Sequence, residues 1–260
     1  MSQQTKASSF IKPFLKWALV ASIITCIAIA AYIKVIIIPS LPNPSSLVNI
    51  QLQTPLNIYS NDGLLIAKFG EKKRVPITYT DIPQTQVNAF LAAEDKDFFR
   101  HSGVDVFGLA RAAGQLILTG KKKQGGSTIT MQVARNFFLS KKKTYTRKLR
   151  EIVLSLVIEQ QLSKQDILAL YLNKIYLGHR SYGIAAAAEV YYDKKLSELS
   201  LAQQAMIAGL PKAPSAFNPI TNPQRALIRR NYVLNRLLNL NYISKPEFDK
   251  AFAEPISARL

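Results

Sequence analysis

The chain has 260 residues, enough for a short N-terminal segment and one domain of about 200 residues with a substantial core. Hydrophobic residues make up 48 % of the chain, which excludes a wholly disordered protein. The formal net charge of +18 requires an anionic partner, which could be nucleic acid, acidic lipid headgroups or a phosphorylated substrate. The single cysteine, Cys26, excludes an intramolecular disulfide and a cysteine-based metal site.

The first predicted element is a membrane-spanning helix. No charged residue occurs from Trp17 to Ile33, and Lys34 is followed by a further apolar run up to Pro39. A helix of this length crosses a hydrocarbon core of roughly 30 Å, and the Lys34 side chain can extend to the headgroups. The alternative is a cleaved signal peptide, but the run is longer than a typical signal core and no clear cleavage site precedes Pro39.

Basic residues are distributed asymmetrically around this helix. Lys6, Lys12 and Lys16 precede it, whereas no basic residue lies between Val35 and Ala67. The positive-inside rule therefore predicts a cytoplasmic N-terminus and a globular domain outside the cytoplasmic membrane. This orientation removes nucleic acid as a partner of the basic domain.

A linker and a β-hairpin are predicted next. Residues 39–55 contain four prolines with serine and asparagine, a composition typical of a linker. Two short apolar runs, 56–59 and 64–67, flank Asn61-Asp-Gly, a sequence typical of a hairpin turn. Beyond Pro83 the pattern becomes helical and remains so, which predicts a mainly α domain.

Apolar periodicity locates two of the predicted helices. The first follows a helical stripe from Val87 through Phe90, Leu91 and Glu94 to Phe98. The second has an i, i+3, i+4, i+7, i+8 stripe, formed by Leu149, Ile152, Val153, Leu156 and Val157.

Capping signals locate the others. Ser163 with Asp166 forms a capping-box-like start to a helix that Gly178 is expected to end. A further helix from about Leu199 is expected to stop at Gly209.

Glu94 is the most informative candidate for chemistry. It lies on the apolar stripe of its own helix, seven residues after Val87 and four before Phe98. A carboxylate that faces a hydrophobic interior loses solvation, which raises its pKa and suits it to proton transfer near neutral pH. The alternative is a partly buried glutamate paired with a lysine or arginine.

Glu151 has a different setting. It lies on the side of its helix away from Leu149, with Arg147 and Lys148 one turn before it. Ordinary ion pairing at the surface explains this pattern.

Residues 121–150 hold ten basic residues and no acid. Part of this stretch is expected to meet acidic lipid headgroups and part a phosphate, although a solvated basic face is the usual explanation of a charge run. Within it, Gly125-Gly-Ser-Thr opens a predicted helix over 131–139, whose first N–H groups could bind phosphate oxygens; the same residues suit a capped loop. The ten residues are Lys121, Lys122, Lys123, Arg135, Lys141, Lys142, Lys143, Arg147, Lys148 and Arg150.

The histidines limit the metal chemistry. His101 and His179 are the only two, which excludes a histidine-rich metal site.

Five blocks, taken in chain order, resemble the glycosyltransferase family 51 domain of class A penicillin-binding proteins, most of all the 1A type. The similarity covers roughly residues 50–255, and five ordered blocks at matching spacing make it specific. The blocks are 94–103, 125–136, 147–151, 173–192 and 208–214.

The resemblance implies a lysozyme-like α-helical head with a smaller membrane-proximal jaw. It also implies a reaction in which the growing lipid-linked glycan is the donor and lipid II is the acceptor. Glu94 would be the general base, and Glu151 would stabilise the departing pyrophosphate directly or through a divalent cation, Mg²⁺ or Mn²⁺; no organic cofactor is expected. The substrate-binding positions that the resemblance implies are Asp95, Phe98, His101, Arg111, Ser127, Thr128, Thr130, Gln132, Arg135, Asn136, Arg147 and Lys148.

The resemblance also divides the chain and gives it a location. The expected protein is a single-pass protein of the bacterial cytoplasmic (inner) membrane with a periplasmic or extracellular domain. Its expected partners are lipid II, the growing glycan strand, the membrane and other cell-wall synthesis proteins. The expected segments are a cytoplasmic tail (1–16), a transmembrane anchor (17–38), a linker with the hairpin (39–80), the glycosyltransferase domain (81–255) and the start of a missing or truncated region (256–260).

The chain departs from the family pattern in three respects. Met131 replaces a glutamine often present in the second block, and Gln203 stands where a glutamate is expected. Class A relatives continue into a transpeptidase domain beyond the position of Leu260, so the expectation is either a fragment or a monofunctional polymerase.

Two alternative functions remain open from the sequence. A lysozyme-like peptidoglycan hydrolase would also use two carboxylates. A non-catalytic membrane scaffold of the cell-wall machinery would use the basic face to bind acidic lipid.

Overall fold

The computed structural model describes residues 4–47, 50, 52–53, 55–70, 72–120, 126–140, 142 and 144–260. Within these ranges the chain is mainly α-helical, as predicted, with two short antiparallel hairpins. The helices are α1 (Gln4–Tyr32), α2 (Gln84–Glu94), α3 (Val106–Thr119), α4 (Ile129–Phe138), α5 (Tyr145–Gln161), α6 (Lys164–Lys174), α7 (Ile184–Tyr192), α8 (Leu201–Gly209), α9 (Pro223–Asn239) and α10 (Lys245–Ala253). The strands are β1 (Leu56–Tyr59), β2 (Leu65–Phe69), β3 (Tyr176–Gly178) and β4 (Ser181–Tyr182).

The N-terminal helix carries the segment predicted to cross a membrane. α1 continues into a π-helical turn, Ile33–Ile37, and a 3₁₀ turn, Ile38–Ser40. Lys16–Ser40 is long and apolar enough to span a bilayer, and its side chains are almost all exposed on the outside of the protein. At its far end Ile37 is fully buried, and the π-helical turn contacts α5. The segment therefore fits a single-pass anchor that is joined to the rest of the protein by packing.

The predicted hairpin is present. β1 and β2 pair antiparallel, and the Ser60 N–H donates to the Leu64 carbonyl at 2.8 Å across the Asn61-Asp-Gly turn. Gly63 has a φ of +81°, in the left-handed region that favours glycine. The preceding linker is not free of the domain, because Leu47 is buried in the core.

Two groups of helices pack together to form the domain. α2, α8 and α9 contact one another, and α4 packs against α5 and α6. An edge-to-face contact between Phe90 of α2 and Tyr171 of α6 joins the two groups, with ring centroids 6.2 Å apart. Since α2 and α4 lie at this junction, side chains from both groups meet at the C-terminal end of α2.

The structure corrects two predicted helix ends. α2 stops at Glu94, and Phe98 lies in the following turns, although it is fully buried as its spacing suggested. α6 does begin with the Ser163–Asp166 capping box, but it ends at Lys174 rather than at Gly178. Gly178 belongs to β3 instead, with a φ of +95°. α8 ends at Gly209, as predicted.

The predicted apolar stripe of α5 is not its buried face. Of its five members only Val153 is buried, and Leu156 is 41 % exposed. The buried face instead contains the polar residues Glu151 and Ser155 together with Leu154 and Ile158. Hydrophobic periodicity misplaces this face because it assigns charged residues to the solvent.

The two departures from the family pattern have structural explanations. Met131 is fully buried in the interior of α4. Gln203 completes a capping box at the start of α8, where its Oε1 accepts from the Ser200 N–H at 3.0 Å. Its Nε2 donates to Ser257 Oγ at 3.0 Å, so an amide both caps the helix and ties it to the C-terminal segment.

Candidate active site

Glu94 is the last residue of α2, and its side chain points into the junction of three helices. Gln132 of α4 donates from Nε2 to Glu94 Oε2 at 3.0 Å. Arg229 of α9 places its Nη2 3.7 Å from Glu94 Oε1. The Glu94 side chain is only 15 % exposed, so this carboxylate is shielded but open to a cleft at one side.

Burial raises the pKa of Glu94, because loss of solvation disfavours the charged form. The Gln132 hydrogen bond and the charges of Arg229 and Arg135 oppose this shift, while the neighbouring Asp95 reinforces it. The net direction is upward, as the apolar spacing predicted. The alternative of a partly buried glutamate beside an arginine is also realised, since Arg229 is that partner.

Glu151 is fully buried and surrounded by cations. Its Oε2 accepts from Arg147 Nη1 at 2.7 Å, and its Oε1 accepts from Lys148 Nζ at 2.9 Å. Arg135 Nη1 lies 4.0 Å from the same Oε1. The ion pairs predicted from the spacing are therefore present, but the predicted surface position is wrong. Several cations are needed here because a buried carboxylate with no partner is costly.

A chain of polar contacts connects the two carboxylates. Arg135 lies beside Glu151 and donates from Nη2 to Gln132 Oε1 at 3.4 Å, and Gln132 in turn donates to Glu94. Lys148 Nζ also donates to Ser127 Oγ at 2.7 Å. Glu94 and Glu151 thus belong to one network of contacts rather than lying on opposite sides of the molecule. Glu94 lines the cleft described next, whereas Glu151, Arg147 and Lys148 are not in its lining.

The cleft beside Glu94 has a volume of about 590 Å³. Of the predicted substrate-binding residues, six line it directly, and four further cations that the sequence analysis did not identify line it as well. The predicted residues in its lining are Asp95, Arg111, Ser127, Thr128, Gln132 and Arg135. The additional cations in its lining are Lys96, Lys212, Arg229 and Arg236.

The residues of the first block mainly fix the loop after α2. Asp95 Oδ2 accepts from the Ile129 N–H at 2.9 Å, and both Asp95 oxygens lie 3.1 Å from His101 Nε2. Phe98 is fully buried and packs edge-to-face against His101, with ring centroids 6.2 Å apart. Phe98 and His101 are not in the cleft lining, so their contacts hold the loop against the start of α4.

The start of α4 is capped from within the protein. Thr128 Oγ1 accepts from the Met131 N–H at 3.1 Å and donates to the Gly103 carbonyl at 2.6 Å. With the Ile129 N–H bound to Asp95, two of the N–H groups considered for phosphate binding already have partners. The capped-loop alternative therefore describes this segment, as far as its described residues show.

Two predicted residues of the second block do not reach the cleft. Thr130 is buried and donates to Glu159 Oε1 at 2.5 Å, on the other side of α4. Asn136 is exposed and is not among the residues that line the cleft. Among the remaining members of the basic stretch, Lys121–Lys123, Gly125, Lys141 and Lys143 lie outside the described residues.

Arg229 is a close neighbour of Glu94 that the sequence analysis missed. Its only signal was its position on the buried face of α9, where Ala226, Arg229, Arg230 and Val233 follow helical spacing. A cation on an apolar stripe is as unusual as Glu94 on its own stripe, and it likewise indicates a charged side chain that is buried with a partner. Its partner could not be inferred from spacing, since α2 and α9 are far apart in the chain.

The donor set does not favour a protein-held divalent cation. Within the described part of the chain, no three His, Cys, Asp or Glu side chains form a group that could hold a metal ion. Both oxygens of Glu151 already accept hydrogen bonds from Arg147 and Lys148. The positive charges that the described residues bring to Glu151 are those of Arg147, Lys148 and Arg135.

Comparison with known proteins points to one family. A family model described as Transglycosylase matches residues 62–238, more than half of the chain. Penicillin-binding protein 1A of Pseudomonas aeruginosa is 56 % identical over 220 residues, which cover 85 % of this chain and 27 % of that protein. Penicillin-binding protein 1A of Vibrio cholerae is 48 % identical over 250 residues, which cover 95 % of this chain and 30 % of that protein.

A solved structure also matches. The crystal structure of penicillin-binding protein 1A from Haemophilus influenzae is 37 % identical, with a TM-score of 0.48, over 81 % of this chain and 22 % of that one. The chain thus spans less than a third of the length of these relatives.

Proposed function

The chain belongs to the transglycosylase family, and from this premise we propose that it is a peptidoglycan glycosyltransferase that polymerises lipid II in bacterial cell-wall synthesis. The observation that carries the proposal is the shielded Glu94 beside a cleft lined by cations, one of which, Arg135, also lies beside Glu151. A base that must work near neutral pH and a cradle for a departing pyrophosphate are the two requirements of this reaction.

Glu94 acts as the general base. It takes the proton from a hydroxyl of the acceptor sugar on lipid II, and the freed oxygen attacks the anomeric carbon of the donor strand. A new glycosidic C–O bond forms while the bond from that carbon to the pyrophosphate oxygen breaks. Undecaprenyl pyrophosphate leaves with the bonding electrons, and the α linkage is inverted to β.

Arg135 and Lys148 receive the charge that develops on the pyrophosphate. Fixed cations in a partly dry cleft stabilise such charge more strongly than water does, because they need no reorganisation during the reaction. Both oxygens of Glu151 already accept hydrogen bonds from Arg147 and Lys148, so this carboxyl group does not contact the leaving group directly. Its contacts with Arg147, Lys148 and Arg135 support a role in holding these cations in place.

The lipid-linked substrates fit an enzyme held at the membrane. Beyond the candidate anchor, α3 exposes large apolar side chains, among them Phe107 at 87 % and Leu118 at 86 %. Exposed apolar residues on this scale are typical of a surface that meets a partner or a bilayer. We propose that the N-terminus is cytoplasmic, as the lysines before the anchor indicate, and that the catalytic domain lies outside the membrane.

The hydrolase alternative is less well supported. A lysozyme-like mechanism needs a second carboxyl group that is free to attack or to activate water. Glu151 is fully buried and held by two cations at 2.7 and 2.9 Å, which leaves it unsuited to either task.

One assay tests the proposed function. Purified chain is incubated with labelled lipid II in detergent, and the products are separated by length. Long glycan strands with release of undecaprenyl pyrophosphate are the expected result. Cleavage of pre-formed strands instead would identify a hydrolase. A protein that acts on neither substrate would support the non-catalytic membrane scaffold.

A further inference from the structure

The two oxygens of Glu94 have different partners. Oε2 accepts a hydrogen bond from Gln132 at 3.0 Å. Oε1 faces Arg229 at 3.7 Å, which is inside ion-pair range but beyond the length of an N–H···O hydrogen bond. Among the described residues, Arg229 is the one cation within 4.0 Å of this carboxylate. Oε1 is therefore close to a positive charge, and no described residue donates a hydrogen bond to it.

Arg229 is held firmly in this position. Its Nε donates to the Gly209 carbonyl at 3.1 Å, at the C-terminal end of α8, where carbonyl groups carry partial negative charge. Its guanidinium lies over the Tyr232 ring, 4.6 Å from the centroid, and 6.0 Å from that of Phe217. The side chain is only 7 % exposed. These contacts fix the guanidinium independently of Glu94.

Gly209 makes this placement possible. A Cβ at position 209 would lie 3.0 Å from Arg229 Cγ, closer than ordinary van der Waals contact. The glycine of the fifth sequence block thus allows the arginine stem to pass over the end of α8.

We propose that Arg229 is a positioning residue of the transferase reaction, which keeps Glu94 ionised while leaving Oε1 free to receive the proton of the acceptor hydroxyl. A direct hydrogen bond from Arg229 to Oε1 would occupy one of its two lone pairs and make that oxygen a weaker base. Without the cation, a carboxyl group this well shielded would keep its proton to a higher pH and would act as a base over a narrower pH range. The inference rests on the proposed function, since it assigns a role within that reaction.

Several other groups also face Glu94. Asp95 adjoins it in the chain and is paired with His101, Arg135 and Gln132 approach from α4, and Tyr171 lies beneath it on α6. Burial raises the pKa of Tyr171 well above its ordinary value, so that phenol stays neutral in the working range. The Asp95–His101 pair is the other pair of ionisable side chains beside Glu94.

The test compares three variants across a pH series of kcat/KM for lipid II polymerisation. Arg229→Met removes the charge and keeps most of the stem, Arg229→Lys keeps the charge, and Arg225→Met makes the same change at an exposed position one turn earlier on α9. We expect the acid limb of the Arg229→Met profile to move up by roughly one pH unit or more, with activity recovering at alkaline pH. Arg229→Lys keeps the charge, so its acid limb should stay close to that of the parent. The Arg225→Met profile should match the parent.

Other outcomes would overturn the proposal. A raised KM with an unmoved acid limb would mean that Arg229 binds substrate only. A lower melting temperature with an unmoved limb would mean a purely structural role. The part assigned to Gly209 is tested separately with Gly209→Ala. If this variant keeps the parental profile while Arg229→Met is shifted, that part is wrong and the role of Arg229 stands.

A second readout does not need activity. The pH dependence of thermal stability is measured for Glu94→Gln in the parent and in the Arg229→Met background, with His101 unchanged in both. Coupling between the two sites should appear as a shift to higher pH of the Glu94-dependent stability change in the Met background. If the parent forms no polymer but this coupling is found, the proposed function fails while the Glu94–Arg229 interaction stands; if polymer forms without coupling, the inference fails alone.

Discussion

Glu94 and Glu151 are both shielded, yet their partners differ in a way that suits different tasks. Glu151 accepts close hydrogen bonds from two cations, at 2.7 and 2.9 Å, which commits both of its oxygens. Glu94 accepts one hydrogen bond from a neutral amide and has a cation at 3.7 Å, which leaves one oxygen available. A proton acceptor needs the second arrangement, and an anchor for cations needs the first.

The raised pKa of Glu94 predicts how stability depends on pH. Below its ordinary value of about 4.5, Glu94 is protonated in both the folded and the unfolded chain. As the pH rises from there to the higher folded-state value, the unfolded chain loses this proton first, so the free energy of unfolding falls. In Glu94→Gln this decline is absent. Its free energy of unfolding relative to that of the parent should therefore be higher at about pH 8 than at about pH 4. Thermal unfolding measures the difference, and a difference that is constant or grows in the opposite sense would contradict the assignment.

Lys148 offers a test of the pyrophosphate site. Its Nζ donates to both Glu151 and Ser127, the side chain is one-third exposed, and Ser127 lines the cleft. Lys148→Ala should lower the polymerisation rate by about 100-fold, as loss of one preorganised donor does elsewhere, with little loss of membrane association. Lys142→Ala, at an exposed position before α5, is the matched control. An unchanged rate with lost membrane binding would show that this lysine serves the bilayer instead.

At the scale of elements, the sequence predicted those features of the fold that depend on residues close together in the chain. The Asn61-Asp-Gly turn, the Ser163 capping box and the end of α8 at Gly209 depend on neighbouring residues, and all three are confirmed. The buried face of α5 was mispredicted, because α4 packs against it and brings Arg135 to Glu151, a contact that spacing within α5 does not show. The partner of Glu94 on α9 was missed for the same reason, since tertiary packing brings it there. The cleft residues on α2 and α4 could thus be predicted from the sequence, whereas those on α9 could not.

Two left-handed glycines separate backbone strain from steric clash. Gly178 has a φ of +95°, and a Cβ there would lie 2.5 Å from Tyr191 Oη. Gly63 has a φ of +81°, but a Cβ there would meet nothing within 4 Å. Gly63→Ala should therefore cost only the strain of about 1 kcal/mol, and Gly178→Ala should cost clearly more, because Tyr191 must also move. Melting temperatures compare the two variants. Equal losses would mean that Tyr191 moves away from position 178 without a cost in stability.

At the scale of the whole molecule, the anchor, the exposed apolar residues of α3 and the net charge of +18 have a common explanation. A substrate with a long lipid tail and a pyrophosphate stays at the membrane surface. An enzyme that is attached to the same surface and carries positive charge meets that substrate at high local concentration.

The proposed orientation is open to a labelling test. Cys26 is the single cysteine, so Cys26→Ser gives a background without thiols. Tyr145→Cys, at a position that is 98 % exposed in the domain, should react with a membrane-impermeant maleimide in cells whose outer barrier is opened. Ser2→Cys, before the anchor, should react only after lysis. The reverse pattern would place the domain in the cytoplasm.

The most direct test of the account is lipid II polymerisation by Glu94→Gln. The substitution keeps the size and the hydrogen-bonding capacity of the side chain but removes the base, so the rate should fall by at least about 100-fold while the fold is retained. Glu198→Gln, at an exposed position, should polymerise at the parental rate. Polymerisation by a correctly folded Glu94→Gln protein at more than a few per cent of the parental rate would contradict the role of Glu94 as the general base.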